Sequence, residues 1–167
     1  MGDRRYIIAE HARLKVDGID VGYTLAPTTI SIARDYIEAN VEQVKGPIKE
    51  FLTNEVMTIE TTLAETTMEN LRIVWDQESS MLVGGTFLAL GTEGGANEHT
   101  IIINANAPEG EDYQYENWYI FKAVSMEAGQ ITRAKGEVSG IPVTFRCLKD
   151  TNNGNRFGYR KLSDSEL

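Results

Sequence analysis

One cysteine and two histidines are the chain's whole supply of the side chains most used for covalent, metal and proton-transfer chemistry. A single Cys147 excludes an internal disulfide, and among apolar neighbours it reads as a small core residue rather than a nucleophile. His11 and His99 each lack a Cys, His or carboxylate at metal-ligand spacing, and a lone histidine on a strand reads as structural. Neither a Gly-x-Ser-x-Gly elbow nor a His-Glu-x-x-His pair occurs. The glycine-rich stretch 91–97 has neither the dinucleotide spacing nor a following Gly-Lys-Ser/Thr, so it reads as a flexible loop and not a phosphate cradle. Asp150-Thr151-Asn152-Asn153-Gly154-Asn155 invites a calcium reading. Its glycine comes one place early, however, and Lys161 stands where a bidentate Glu is needed. The sequence therefore predicts no catalytic residue, no metal site and no cofactor.

Long apolar runs are missing too. Arg4 and Arg5 precede only the short apolar stretch 6–9, too brief for a secretory signal, and no segment approaches membrane-spanning length. The expectation is a soluble chain with no membrane insertion. Basic residues are absent from 73–121, where Asp76, Glu78, Glu93, Glu98, Glu109, Glu111, Asp112 and Glu116 give a charge of −8. Between residues 133 and 161 the balance reverses, seven cations facing only Glu137 and Asp150 for a charge of +5. Either the two spans lie side by side and pair within one subunit, or the acidic face of one copy meets the basic face of the next. The net charge of −9 argues against a sequence-specific duplex binder.

What the chain has is strand periodicity. Over 56–63, Met57, Ile59, Thr61 and Leu63 alternate with Thr58, Glu60 and Thr62, the pattern of a half-buried strand. After Ala64 the period changes: Met68, Leu71, Val74 and Trp75 share a helix face, with Thr66 and Glu69 spaced as a capping box. Residues 13–16 and 19–25 read as a hairpin around Asp17-Gly18, with Gly22 a bulge or close approach. Further strands are predicted over 29–41, 81–90 (bent at Gly84-Gly85), 99–105, 113–126, 131–138, 141–148 and 156–159. Residues 46–55 read as a polar connection carrying Ile48, Phe51 and Leu52, and 1–11 as an arm. At 167 residues this is one mainly β domain with one helix, suited to a structural or binding role.

Four stretches in order, Leu14-Lys15-Val16-Asp17-Gly18-Ile19-Asp20-Val21-Gly22, Val41-Glu42-Gln43-Val44-Lys45-Gly46-Pro47, Leu63-Ala64-Glu65-Thr66-Thr67-Met68-Glu69-Asn70-Leu71 and Gly140-Ile141-Pro142-Val143-Thr144-Phe145-Arg146-Cys147-Leu148-Lys149-Asp150, give the chain a familiar outline. It resembles the major tail tube protein of long-tailed bacteriophages. The resemblance implies a β-sandwich or barrel of the tail tube type with one flanking α-helix. It implies a single domain, 1–167, whose copies form stacked hexameric rings around a channel for DNA ejection. By that resemblance Glu38, Glu42, Thr58, Glu60 and Thr62 are candidates to line the bore, where an acidic lining lets DNA slide without sticking. The loop 46–55, the N-terminal arm 1–11 and the C-terminal arm 156–167 would touch the next ring through Ile48, Phe51, Leu52, Arg4, Arg5, Arg156 and Arg160. Implied partners are other copies of the chain, tape-measure, tail-terminator and tail-tip proteins, and genomic double-stranded DNA passing without specific binding. The implied location is the virion tail, assembled in the host cytoplasm. The rival readings are a tube of a contractile tail or secretion system, a monomeric β-sandwich binding module, and a small enzyme that brings His11 or His99 to an acid.

Overall fold

Two left-handed residues start the architecture. The computed structural model describes residues 12–40, 46–91, 95–126, 130–131, 136 and 139–167. In it Asp17 and Gly18 have φ of 52° and 80°, as a two-residue hairpin turn requires. They reverse β1 (Arg13–Val16) into β2 (Ile19–Asp20), with Val16 opposite Ile19. The returning arm is shorter than the expected 19–25, because the Gly22 N–H bonds the Asp20 carboxylate and φ at Gly22 is 82°. Gly22 is also a close approach: a Cβ there would collide with the Glu65 carboxylate.

The chain continues through β3 (Thr24–Asn40), β4 (Pro47–Leu63) and α1 (Met68–Val74). A small hairpin β5 (Leu82–Val83) and β6 (Phe87–Leu88) follows, then β7 (His99–Asn106), β8 (Tyr115–Ser125), β9 (Ile141–Leu148) and β10 (Gly158–Ser163). The large antiparallel sheet has the order β2-β1-β7-β8-β9-β4-β3, with β10 also on β8. A mainly β chain with one large antiparallel sheet and one helix is consistent with a β-sandwich with one flanking helix, the class that the sequence predicts.

One edge of β8 is covered by two different strands. Residues 115–120 pair with β10 and residues 122–125 with β9, and the Phe121 N–H between them donates to the Phe157 carbonyl. Both partners run antiparallel to β8, so β9 and β10 are one strand interrupted by an excursion over 149–157. The Asp150 to Arg156 bridge closes the base of that excursion.

Alternation places the core. Met57, Ile59, Thr61 and Leu63 are all buried, and face Ile141, Val143, Phe145 and Cys147 of β9 on the same side. Leu14, Val16, Ile101, Ile103 and Ile120 close the other half, and Leu71, Ile73 and Val74 of α1 complete the cluster. Each such side chain contributes about 1.5–3 kcal/mol on leaving water, so this face fixes the register of every strand that carries it.

Several expectations change. The helix is capped by Thr67, whose hydroxyl accepts the Asn70 N–H at 3.1 Å, and not by Thr66; Glu69 turns instead to Arg72 at 2.5 Å. Met68 is 40% exposed and Ile73 takes the buried position. The run 81–90 is no bent strand: Gly84 and Gly85, with φ of 60° and 70°, fold it into β5 and β6. The stretch 46–55 is strand rather than loop, because Gly46-Pro47 turns the chain straight into β4. The segment 156–167 is no free arm: β10 lies on β8, and the backbone oxygens of Ser165 and Leu167 accept from Asn117 and Asn104. The strand expected over 131–138 and the arm 1–11 lie largely or wholly outside the described residues. Among the described residues no helix is long and apolar enough to cross a membrane.

Candidate assembly surface

β3 and β4 are each 17 residues long, but β9 accompanies β4 only from Met57 to Leu63. Beyond that point the two strands pair with each other alone, a ribbon roughly 25–30 Å long at the usual rise per residue. Its pairing slips at Asp35/Tyr36 and again at Ala39/Asn40, near its end. Asp35 opposes Asn54 and Tyr36 opposes Leu52, so Thr53 is the extra residue of a bulge, and its hydroxyl donates to the Asp35 carbonyl at 3.0 Å.

Two neighbouring cross-strand pairs at the first slip are apolar. Tyr36 sits opposite Leu52 and Ile37 opposite Phe51, and successive residues of a strand point to opposite faces, so the ribbon is apolar on both sides. Ile37 is 61% exposed, Ile48 55%, Phe51 50% and Leu52 49%. An isolated two-stranded hairpin is marginal in water, and this one exposes the side chains that would normally hold it down. The outer edge of β3 and the distal edge of β4 have no strand beside them among the described residues. At the base the ribbon is clamped: Glu55 takes Arg34 at 2.7 Å and Lys149 at 2.9 Å. The hydrogen bond from Arg34, then that from Lys149, holds the Glu55 carboxyl below its ordinary range, and Glu55 in turn raises the Arg34 guanidinium.

The proximal part of β4 offers a second, polar face. Thr58, Glu60 and Thr62 point away from the core and stand opposite Ser31, Thr29 and Ala26 on one side and Arg146, Thr144 and Pro142 on the other. Three of the five bore candidates are thus brought together. Glu38 lies on the distal ribbon, opposite Glu50 and in step with Ile32 rather than Glu60, so it faces the other way. Glu42 is outside the described residues. Glu60 is the one carboxylate among the nine residues made up of 58, 60 and 62 and their strand neighbours just named, and Arg146 stands within the same set.

Of the inter-ring candidates, Ile48, Phe51 and Leu52 share the ribbon and Arg156 is exposed on the 149–157 excursion. Arg160 is committed within its own subunit. Its guanidinium donates to both oxygens of Glu116 at 2.8 and 2.7 Å, and Trp118 adds a third bond at 2.6 Å. Those bonds, Arg160 first, hold the Glu116 carboxyl below its ordinary range despite burial. This pair joins the acidic and basic spans side by side, the first of the two charge arrangements considered above. Arg4 and Arg5 are outside the described residues.

Among the described residues the chemistry-bearing side chains are occupied structurally; His11 lies outside them. His99 is buried, with Nδ1 2.7 Å from the Asp17 carboxylate and Nε2 3.8 Å from that of Asp76, so it ties the β1–β2 turn to the end of α1. Residues 82 apart in sequence meet there, and no local spacing announces it. No serine or cysteine donates to this imidazole in the hydrogen bonds described. The Asp150 carboxylate is filled by its own loop, accepting from the Asn152 N–H and the Asn153 amide. Burial pushes the Cys147 thiol up to about 12. Among the described residues no three His, Cys, Asp or Glu side chains form a metal-binding group. Compared with protein-family models and with curated proteins, the chain matches none.

Proposed function

We propose that this protein is a structural subunit that assembles with its own copies into stacked rings, hexameric by the family resemblance, forming the tail tube of a long-tailed bacteriophage. The observation that carries the reading is the β3–β4 ribbon. A 17-residue hairpin with apolar residues on both faces and unpartnered edges is a poor end state for a free monomer and a good one for a subunit. Side-by-side joining of sheets would cover the edge of β3, and Ile37, Ile48, Phe51 and Leu52 would bury themselves against the next copy. The hydroxyl-rich face of Thr58, Glu60 and Thr62 would then turn to the bore. Hydroxyl groups with sparse charge give duplex DNA little to grip, which suits a conduit.

Tape-measure, terminator and tip proteins would be its partners in the virion, and the DNA would pass without specific contact. A tube of a contractile tail or secretion system would use the same surfaces. The test is negative-stain electron microscopy of the purified full chain over a concentration series, with sedimentation velocity on the same samples. Rings or tubes with a central channel are expected. A monomer at every concentration, persisting when a tail-tip complex is added as initiator, overturns the proposal.

A further inference from the structure

The excursion over 149–157 holds the chain's one asparagine followed by glycine, Asn153-Gly154. Both residues are exposed and lie outside the ladders that β9 and β10 make with β8. A side chain on the following residue would crowd the asparagine carboxamide, and glycine has none. A Cβ built on Gly154 would meet only the Arg156 Nε, at 3.9 Å, so the backbone there has room to turn. Gly154 is left-handed, with φ of 70° and ψ of 35°, a region that glycine enters and leaves without steric cost.

Asp150, only 6% exposed, is the hub of this loop. Its carbonyl accepts the Asn153 N–H at 3.2 Å and the Asn155 N–H at 2.9 Å. Its carboxylate accepts the Asn152 N–H at 3.1 Å and the Asn153 side-chain amide. The Asn153 carboxamide is therefore the one side-chain donor on that carboxylate among the bonds described, and the loop's closure depends on its staying an amide.

We propose that Asn153 is a site of self-modification: it deamidates through a cyclic imide with Gly154, and the product unlocks the excursion. The Gly154 backbone nitrogen attacks Cγ of Asn153. The N–Cγ bond forms, the Cγ–Nδ2 bond breaks, and the side-chain nitrogen leaves as ammonia with the proton that Gly154 gives up. Water then opens the imide at either carbonyl, its hydroxyl going to carbon and its hydrogen to nitrogen, and leaves aspartate or isoaspartate at 153. Water is the only co-reactant. An acceptor now replaces a donor opposite the Asp150 carboxylate, and like charges there repel. Opening to isoaspartate also lengthens the main chain at 153, which displaces the Asn155 N–H from the Asp150 carbonyl. The strands on either side keep their bonds to β8, so the change is confined to the loop. The proposal is independent of tube assembly.

The experiment is incubation of the folded full-length chain in mildly alkaline buffer, with timed samples digested by trypsin and sequenced by mass spectrometry. Cleavage after Lys149 and Arg156 isolates residues 150–156, in which Asn152 and Asn155 are internal references. The mass gain of OH over NH2 is expected at Asn153 about tenfold faster than at either reference, equivalent to a barrier lower by about 1.4 kcal/mol. Gly154→Ala should remove that advantage. Equal rates at the three asparagines, or modification of Asn153 only in the urea-unfolded chain, overturn the proposal. Unlocking is read on Asn153→Asp, which carries the product from the start: amide hydrogen exchange at 152–155 is expected to rise about tenfold while β8, β9 and β10 keep the parent's protection. Exchange equal to the parent's overturns the unlocking, and loss of protection along β8 overturns its confinement to the loop.

Discussion

Replacing Phe51 and Leu52 together by serine separates assembly from folding. Each side chain is about half exposed in the subunit, 50% and 49%. Full burial of such a residue is worth about 1.5–3 kcal/mol, so the exposed half of each leaves about 1 kcal/mol to be gained on association. Losing both costs about 2 kcal/mol per contact, or roughly 30-fold in the association constant. The other half of each side chain is covered by ribbon neighbours, Ile37, Tyr36 and the Lys49 ammonium 4.8 Å above the Phe51 ring, and not by the sandwich core. The melting temperature of the subunit should therefore fall by no more than about 4 °C. Ile59→Ala, in the centre of the core, is the comparison: a cavity there costs about 2–5 kcal/mol and should lower the melt by about 10 °C. The assay is sedimentation velocity across a concentration series, paired with thermal melts at a concentration where both proteins are monomeric. An unchanged association midpoint in a variant that melts normally refutes the ribbon as the contact. A melt as low as that of Ile59→Ala refutes its independence from the core.

Four further outcomes follow from the same geometry. Because Arg160 and Trp118 hold the Glu116 carboxyl low, that group stabilises the fold above the ordinary carboxylate range and loses its contribution as pH falls through its lowered value; acid titration of unfolding should show a smaller loss below about pH 4.5 in Glu116→Gln than in the parent. At neutral pH the same variant should be less stable by about 1–2 kcal/mol, since the half-exposed Arg160 regains water, as measured by urea unfolding. Cys147 should not react with a thiol reagent in the native chain at pH 8, and should titrate as one thiol per chain after denaturation. Gly158→Ala places a methyl against the Tyr119 carbonyl, backbone that cannot step aside without opening the β8–β10 ladder; a loss of about 3 kcal/mol or more is expected in the same unfolding assay.

The sandwich half of this molecule was legible because burial writes period 2 into the sequence. Residues 57, 59, 61 and 63 alternate with 58, 60 and 62 and do in fact divide between core and surface. Of the ribbon only the β3 arm was legible, as the strand expected over 29–41; the β4 arm was not. With both faces wet, nothing selects alternation, and the Thr53 bulge shifts what little there is by one residue, so 48–55 reads as connection while it folds as strand. Thr66 and Thr67 are chemically equal as caps, and only the entry of the chain into α1 decides for Thr67. The His99 clamp joins Asp17, 82 residues away, to the end of a helix, a coincidence of topology that no spacing rule contains. Arg160 reads as a free surface cation until β10 is laid against β8 and Glu116 appears beside it.

The interrupted strand formed by β9 and β10 also marks where this chain tolerates growth. Its ladder to β8 is complete on either side of residues 149–157, and the excursion is tied off at its base by Asp150 and Arg156, with residues 151–155 exposed. Lengthening the loop between Asn153 and Gly154 adds only a logarithmic closure cost and touches no ladder bond. A peptide epitope or a whole small domain inserted there would ride on the outside of the subunit while the sheet beneath it stayed closed.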